Sequence, residues 1–293
     1  MKSEYPMNQI STQTNASFAD TLAQLIAPPS RHKETGAGRL LPSWTETATL
    51  LEDLRTLLLM TLDPNDVEQR LTRAINALNS QLNTCTLASN IPGQEPISID
   101  SFLVLLPQIK QVLQEDTETA LQSDPAVTSR DEVTLCYPGL RALAYYRIAR
   151  ALFSLDVPLL PRLMSEIGHS VTGIDIHPGA QIGRRFFMDH GTGIVIGATC
   201  IIGNDVKIYQ GVTLGARSFP RCEEGHIIKG IDRHPIIGDR VTIYAGATIL
   251  GRIHIGSDSV IGGNVWITKD IPPGSHVVQQ RPKQDNFIHG DGI

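Results

Sequence analysis

The sequence predicts an α+β chain, an N-terminal all-helical domain followed by a left-handed parallel β-helix of six-residue repeats, on three observations. Apolar residues fall at three- and four-residue spacing from Trp44 to about Gly173. From Ile174 the period becomes six: Ile176, Ile182, Met188, Ile194, Cys200, Val206 and Val212, then, after an interruption, Ile237, Ile243, Ile249, Ile255, Ile261 and Ile267. The composition is rich in glycine and poor in rings, with 25 Gly and only 5% aromatic residues among 293. Neither a helix nor a single strand generates a strict period of six, whereas a short strand followed by a turn does. Three such hexads close a triangular coil, and stacked coils bury their aliphatic residues in columns. A narrow interior of this kind favours Ile and Val over aromatic rings.

Residues 1–44 are rich in Ser, Thr, Asn, Gln and Pro, with Pro28-Pro29 and Gly36-Ala37-Gly38 as breakers, and read as a mobile extension. The helical domain spans 45–173. Its first helix carries Leu50, Leu51, Leu54, Leu57 and Leu58. The second, capped by Asn65 or Asp66, carries Val67, Leu71, Ile75, Leu78 and Leu82. A third runs from about Ser98 to Glu115, bent or interrupted at Pro107. A fourth follows Pro138-Gly139 with Leu140, Leu143, Ala144, Ile148 and Leu152, and a last lies near Pro158 to His169. The β-helix spans 174–275, with Gly183, Gly197, Gly203-Asn204-Asp205, Gly238-Asp239 and Gly262-Gly263-Asn264 supplying its corners. The two hexad runs are out of phase, because Val212 and Ile237 are 25 residues apart, one more than four hexads. A charged excursion at about 216–231 therefore leaves the solenoid, and 276–293 forms a flexible tail.

Composition narrows the function. The 25 Lys+Arg against 30 Asp+Glu give a net charge of −5, without a basic run, which argues against nucleic acid. No apolar stretch approaches the length of a membrane span. Met1 to Ile10 show no basic region followed by an apolar one, so a cytoplasmic location and free thiols at Cys85, Cys136, Cys200 and Cys222 are expected.

Three polar clusters interrupt the hexads: Asp189-His190-Gly191-Thr192-Gly193, Ile174-Asp175-Ile176-His177-Pro178 and Asp232-Arg233-His234-Pro235. A carboxylate within reach of an imidazole fixes its tautomer and stabilises its protonated form, which makes His190 a workable general base. An Arg beside a His can clamp a small carboxylate. Taken singly, each cluster is explained by a solvated corner or a charged loop anchor; together they describe a pocket for a small zwitterion next to a base. Cys200 occupies an inward position and reads as inert core. His177, His190, His226, His234 and His254 form no closely spaced pair within one repeat, so no metal is expected.

With these motifs the chain resembles the serine O-acetyltransferase family of hexapeptide-repeat enzymes, over about residues 98–275 and the last four. The resemblance is carried by Ser123-Asp124-Pro125-Ala126-Val127, the stretch from Gly139 to Ile148, Asp175-Ile176-His177-Pro178, the stretch from Asp189 to Ile194, Gly211-Val212-Thr213-Leu214-Gly215, Asp232-Arg233-His234-Pro235 and Gly290-Asp291-Gly292-Ile293. It implies that His190 takes the proton from the serine hydroxyl, with Asp175 as its orienting partner. It also implies that Asp124 and Asp189 hold the amino group and that Arg233 and His234 bind the carboxylate. Acetyl-CoA would be the co-substrate, lying in a groove between solenoids of a homotrimer or dimer of trimers near Gly215, Ala216, Ala245 and Gly263. Direct attack without an acyl-enzyme would give O-acetyl-L-serine for cysteine synthesis. The family resemblance further implies L-cysteine as feedback inhibitor and O-acetylserine sulfhydrylase as partner through the C-terminal Ile293. The chain departs from the family in a longer excursion between Gly215 and Asp232. The closing Gly-x-Pro-Ala hairpin survives only as Gln280-Arg281-Pro282-Lys283, and the extension 1–44 has no counterpart. The alternatives are another hexapeptide-repeat O- or N-acetyltransferase and a non-catalytic regulator of the sulfhydrylase.

Overall fold

Helices precede strands throughout the computed structural model, which describes residues 41–89 and 98–280. The extension up to residue 40 and the tail residues 281–293, Ile293 included, lie outside the described residues. Helix α1 (Trp44–Leu59) is capped by Ser43, whose hydroxyl accepts from the Glu46 N–H at 3.3 Å, and it buries Leu50, Leu51, Leu54 and Leu58. Helix α2 (Pro64–Ser89) packs along it. The helix expected from Ser98, bent or interrupted at Pro107, is interrupted: α3 (Ile99–Leu103) stops, and α4 (Leu106–Ser123) restarts with Pro107 in its first turn. Proline lacks the N–H that an interior position needs, but the first turn has no use for it. Helix α5 (Arg130–Cys136) is too short for a periodic signal and was not expected; it is held by Ser129, whose side chain accepts from the Glu132 N–H. Helices α6 (Pro138–Ser154) and α7 (Leu160–Thr172) follow, and Gly173 closes α7 at φ 70°, a left-handed cap that suits glycine.

The strands form three parallel faces of a prism. The first face stacks β1 (Asp175–Ile176), β4 (Val195–Ile196), β7 (Thr213–Gly215), β10 (Thr248–Leu250) and β13 (Trp266–Ile267). The second stacks β2 (Gln181–Ile182), β5 (Ile201–Ile202), β8 (Ile236–Ile237) and β11 (His254–Ile255). The third stacks β3 (Phe187–Asp189), β6 (Lys207–Tyr209), β9 (Thr242–Ile243), β12 (Val260–Ile261) and β14 (His276–Val277). This is the expected α+β architecture, a helical region followed by a parallel β-helix.

The register corrects the reading of the hexads. Ile176 pairs with Ile196, Ile182 with Ile202 and Met188 with Ile208, so Ile194, Cys200, Val206 and Val212 belong to a different interior column. Both columns are buried because each hexad sends two side chains inward, and a slip between them leaves the apolar pattern unbroken. The slip has a location. Asp189 is in register with Tyr209 and Val195 with Thr213, yet residues 190–194 fill the first interval and only 210–212 the second. Two residues are inserted at the corner that carries His190. The second break is the excursion between Gly215 and Ile236, pinched by an antiparallel bridge between Arg221 and Ile227.

The first coil has no coil below it, and the helical side chains satisfy polar groups it would otherwise leave bare. Tyr146 O–H donates to the Ala180 carbonyl at 2.7 Å and Ser165 O–H to that of Ile176 at 2.6 Å. The Asp116 carboxylate accepts from the Phe186 N–H at 3.0 Å and from Arg147 Nε at 2.8 Å, while Arg147 Nη2 donates to the Gly183 carbonyl at 2.9 Å. At Gly139 a Cβ would lie 2.5 Å from the Met188 oxygen, so α6 starts in direct contact with the solenoid.

Candidate functional site

The polar clusters sit on corners, and the two inserted residues build the first of them. His190 (φ 55°) and Gly191 (φ 85°) both take left-handed backbone, which swings the imidazole out of the prism and leaves its side chain 72% exposed. Its Nδ1 lies 3.9 Å from Asp189 Oδ1. The loop after α4 brings Asp124 to the same corner. Asp124 Oδ1 accepts from the Ala126 N–H at 2.8 Å and Oδ2 from the Tyr137 O–H at 2.5 Å. The Tyr137 hydrogen bond is the main cause holding the Asp124 carboxyl below its usual range, and the nearby His190 adds to it. Asp189 and Asp124 in turn push the Tyr209 phenol up, after burial, so these five side chains share one field. Asp175 lies on β1 beside this corner, its backbone N–H donating to the Ile194 carbonyl at 2.9 Å. Among the described residues the carboxylate beside the His190 ring is that of Asp189, and Asp175 makes no such approach.

Arg233 and His234 lie on a different corner, the one that follows the first face. Thr199 organises it: its hydroxyl accepts from the Arg233 N–H at 3.0 Å and the His234 N–H at 3.2 Å. The Thr199 N–H donates to His234 Nδ1 at 3.1 Å, a hydrogen bond that assigns the ring proton to Nε2. Arg252 Nη1 donates to the Thr199 carbonyl at 2.6 Å and its Nη2 meets the Asp232 carboxylate at 3.2 Å. Gly197 is required, since a Cβ there would fall 2.0 Å from His234 Cδ2. Burial, with Arg233 and Arg252 beside it, lowers the His234 pKa to about 4. Burial, with Arg162, His234 and Arg233 nearby, lowers that of His177 to about 4 as well. Both rings are therefore neutral donors near pH 7. Arg233 Nε is buried without a hydrogen-bond partner among the described residues, and its guanidinium stands 6.0 Å from the Phe219 ring. A buried donor left open in this way is what a small carboxylate satisfies.

The expected pocket is thus split within one chain. Asp124, Asp189 and His190 occupy one corner, Arg233 and His234 another, and the first face separates them. The positions assigned to acetyl-CoA divide the same way: Ala245 and Gly263 stand on the His190 corner in later coils, whereas Gly215 and Ala216 end the first face on the Arg233 side. Cys200 is fully buried and its thiol is pushed up to about 12, so it is no nucleophile. Among the described residues no group of three or more His, Cys, Asp or Glu could hold a metal ion, and no helix is long and apolar enough to cross a membrane. The cleft of about 490 Å³ between α4, α6 and the second face, lined by Ile109, Val112, Ile182 and Ile202, lies away from both polar corners. Tyr137, Thr199 and Arg252 were not singled out by the sequence reading, and Gly197 was expected only as a corner glycine.

Comparison with known proteins identifies relatives of the chain and of its fold. Residues 234–269 match the bacterial transferase hexapeptide (six repeats) family. A plasmid-encoded serine acetyltransferase of Synechococcus elongatus is 55% identical over 193 residues, which cover 66% of this chain and 60% of that relative. The serine acetyltransferase of Helicobacter pylori is 46% identical over 166 residues, 57% of this chain and 92% of that one. Among solved structures, serine acetyltransferase isoform 3 of Entamoeba histolytica in complex with cysteine superposes with a TM-score of 0.69 at 35% identity, covering 82% of this chain and 84% of that chain. The Brucella abortus serine acetyltransferase in complex with coenzyme A gives 0.57 at 26% identity, with 80% of each chain covered.

Proposed function

This chain belongs to the serine acetyltransferase family of acyltransferases, and from that premise we propose that it transfers the acetyl group of acetyl-CoA to the hydroxyl of L-serine in cysteine biosynthesis, with His190 as general base. The observation that carries the reading is the convergence of two carboxylates, Asp124 and Asp189, on the exposed imidazole of the inserted corner. Two carboxylates beside a base suit a substrate that presents an ammonium group next to the hydroxyl to be deprotonated. Asp124 and Asp189 hold the ammonium, and Nδ1 of His190, facing Asp189, leaves Nε2 for the hydroxyl. As the ring accepts the proton, the serine oxygen attacks the thioester carbonyl. The C–O bond forms, the C–S bond then breaks, and the departing CoA sulfur recovers the proton from His190. Asp175, on the adjoining strand, orients the ring once the ammonium engages Asp189. Holding the two substrates in line supplies much of the rate.

The serine carboxylate belongs to the other corner, where Arg233 Nε and His234 Nε2 are open donors, so the complete centre combines corners of two copies. A ring of three copies repeats such a head-to-tail interface and closes. The exposed apolar residues Val195 and Trp266 on the first face and Tyr244 on the His190 corner support it, because isolated chains rarely leave such surface to water. The same groove takes acetyl-CoA along Gly215, Ala216, Ala245 and Gly263 in a homotrimer or a dimer of trimers. The reading extends to L-cysteine, which carries the same ammonium and carboxylate as serine, as an inhibitor of that pocket, and to a cytoplasmic enzyme.

The test is release of free thiol from acetyl-CoA with L-serine as acceptor, in the presence and absence of L-cysteine. Turnover with serine that L-cysteine competes away supports the proposal; preferential acetylation of a sugar or another amine contradicts it. Capture of O-acetylserine sulfhydrylase by the full chain, and its loss when Ile293 is deleted, tests the partner; equal capture without Ile293 overturns it.

A further inference from the structure

We propose that Tyr137 is a positioning residue of this reaction, its phenol fixing the Asp124 carboxylate where it receives the substrate's ammonium group. The inference rests on the reading of Asp124 given above and adds a residue to it. Asp124 stands at the C-terminal end of α4, with φ −100° and ψ 113°, where the exposed carbonyls of a helix repel a carboxylate. Two donors hold it there against that field: the Ala126 N–H at 2.8 Å and the Tyr137 O–H at 2.5 Å. The first belongs to its own turn; the second comes from the segment between α5 and α6, 13 residues on.

Tyr137 is itself immobilised on the base corner. Its N–H donates to the Val133 carbonyl at 3.3 Å, closing α5, and its carbonyl accepts from the Arg141 N–H at 3.2 Å, opening α6. Pro138 follows, and then Gly139 in contact with the backbone oxygen of Met188, the residue immediately before Asp189 and His190. The phenol therefore spans from the backbone that carries the base to the carboxylate that holds the substrate, and it transfers the geometry of one to the other. Burial, with Asp124 beside it, pushes the Tyr137 pKa upward, so the O–H remains a donor across the working range. The reciprocal effect keeps Asp124 ionised to lower pH than an ordinary aspartate.

Tyr137→Phe removes the donor and keeps the ring. The KM for serine is expected to rise about tenfold, the scale of one lost charge-assisted hydrogen bond, with kcat within about twofold. The KM for acetyl-CoA and the melting temperature should hold. The acid limb of the kcat/KM profile for serine should move to higher pH, because Asp124 now protonates sooner as pH falls. A merely structural role would instead raise both KM values together and lower the melting temperature, and that result overturns the proposal. A carboxyl carbon titration of Asp124 by NMR reads the same link without substrate: its pKa should rise in Tyr137→Phe. If the wild type fails to acetylate serine while this titration still shifts, the assigned reaction fails and the Tyr137–Asp124 link stands. If serine is acetylated and neither KM nor titration moves, the link fails and the reaction stands.

Discussion

Replacing His190 with alanine is expected to lower acetyl transfer to serine by about 10²- to 10⁴-fold, the range of a lost general base. The loss should fall on kcat, with the KM for acetyl-CoA unchanged, because the imidazole acts on the hydroxyl proton and does not hold the thioester. The fold should survive. The side chain is 72% exposed and leaves no cavity when removed, and the left-handed backbone at φ 55° disfavours alanine and histidine alike. Thiol release under saturating serine measures the effect, with circular dichroism as the control on folding. Turnover near that of the wild type would place the base elsewhere.

Asp116→Ala is expected to lower the free energy of unfolding by about 3–5 kcal/mol, the cost of breaking a buried ion pair from one side. Asp116 has no exposed side-chain surface and Arg147 only 10%, so the substitution strands a guanidinium between the helices and the first coil. It also strips the Phe186 N–H of its acceptor. The double substitution Asp116→Leu with Arg147→Met should lose less than Asp116→Ala, because both charges leave together. Urea unfolding of the three proteins checks both statements. A single variant within about 1 kcal/mol of the wild type would mean that the helical domain is seated by its apolar contacts alone.

The architecture was legible because burial repeats along the chain. Leucine stripes and hexads are one-dimensional signals, and each additional coil strengthens them. The phase of the hexads was not, for a reason built into the fold: two inward positions per hexad make a slip of two residues invisible in hydrophobicity. The corner glycines did hold the signal, since Gly183 and Gly203 are 20 residues apart while Gly238 and Gly256 are 18 apart. That spacing brackets the two extra residues between Gly183 and Gly203, the segment that carries His190. The residues that carry the site's chemistry were visible as charged motifs, but their grouping was not. Asp124 reaches His190 only after the helical domain docks, and Arg233, which shares the clusters' motif grammar, folds onto another corner with Thr199, 34 residues away. Tyr137 escaped notice because a tyrosine before Pro138-Gly139 reads as helix entry, and its hydrogen bond to Asp124 exists only in three dimensions.

The proposed active centre joins the His190 corner of one copy to the Arg233 corner of another. Co-expression of His190→Ala with Arg233→Ala checks this, each variant alone being expected to lose acetyl transfer. With random assembly from equal amounts, about three-quarters of the rings are mixed and about one interface in three of each mixed ring pairs an intact His190 with an intact Arg233, so about a quarter of wild-type turnover should return. If mixed assemblies form and remain as inactive as either parent, the two corners do not complete one another across copies, and the two-copy centre is contradicted.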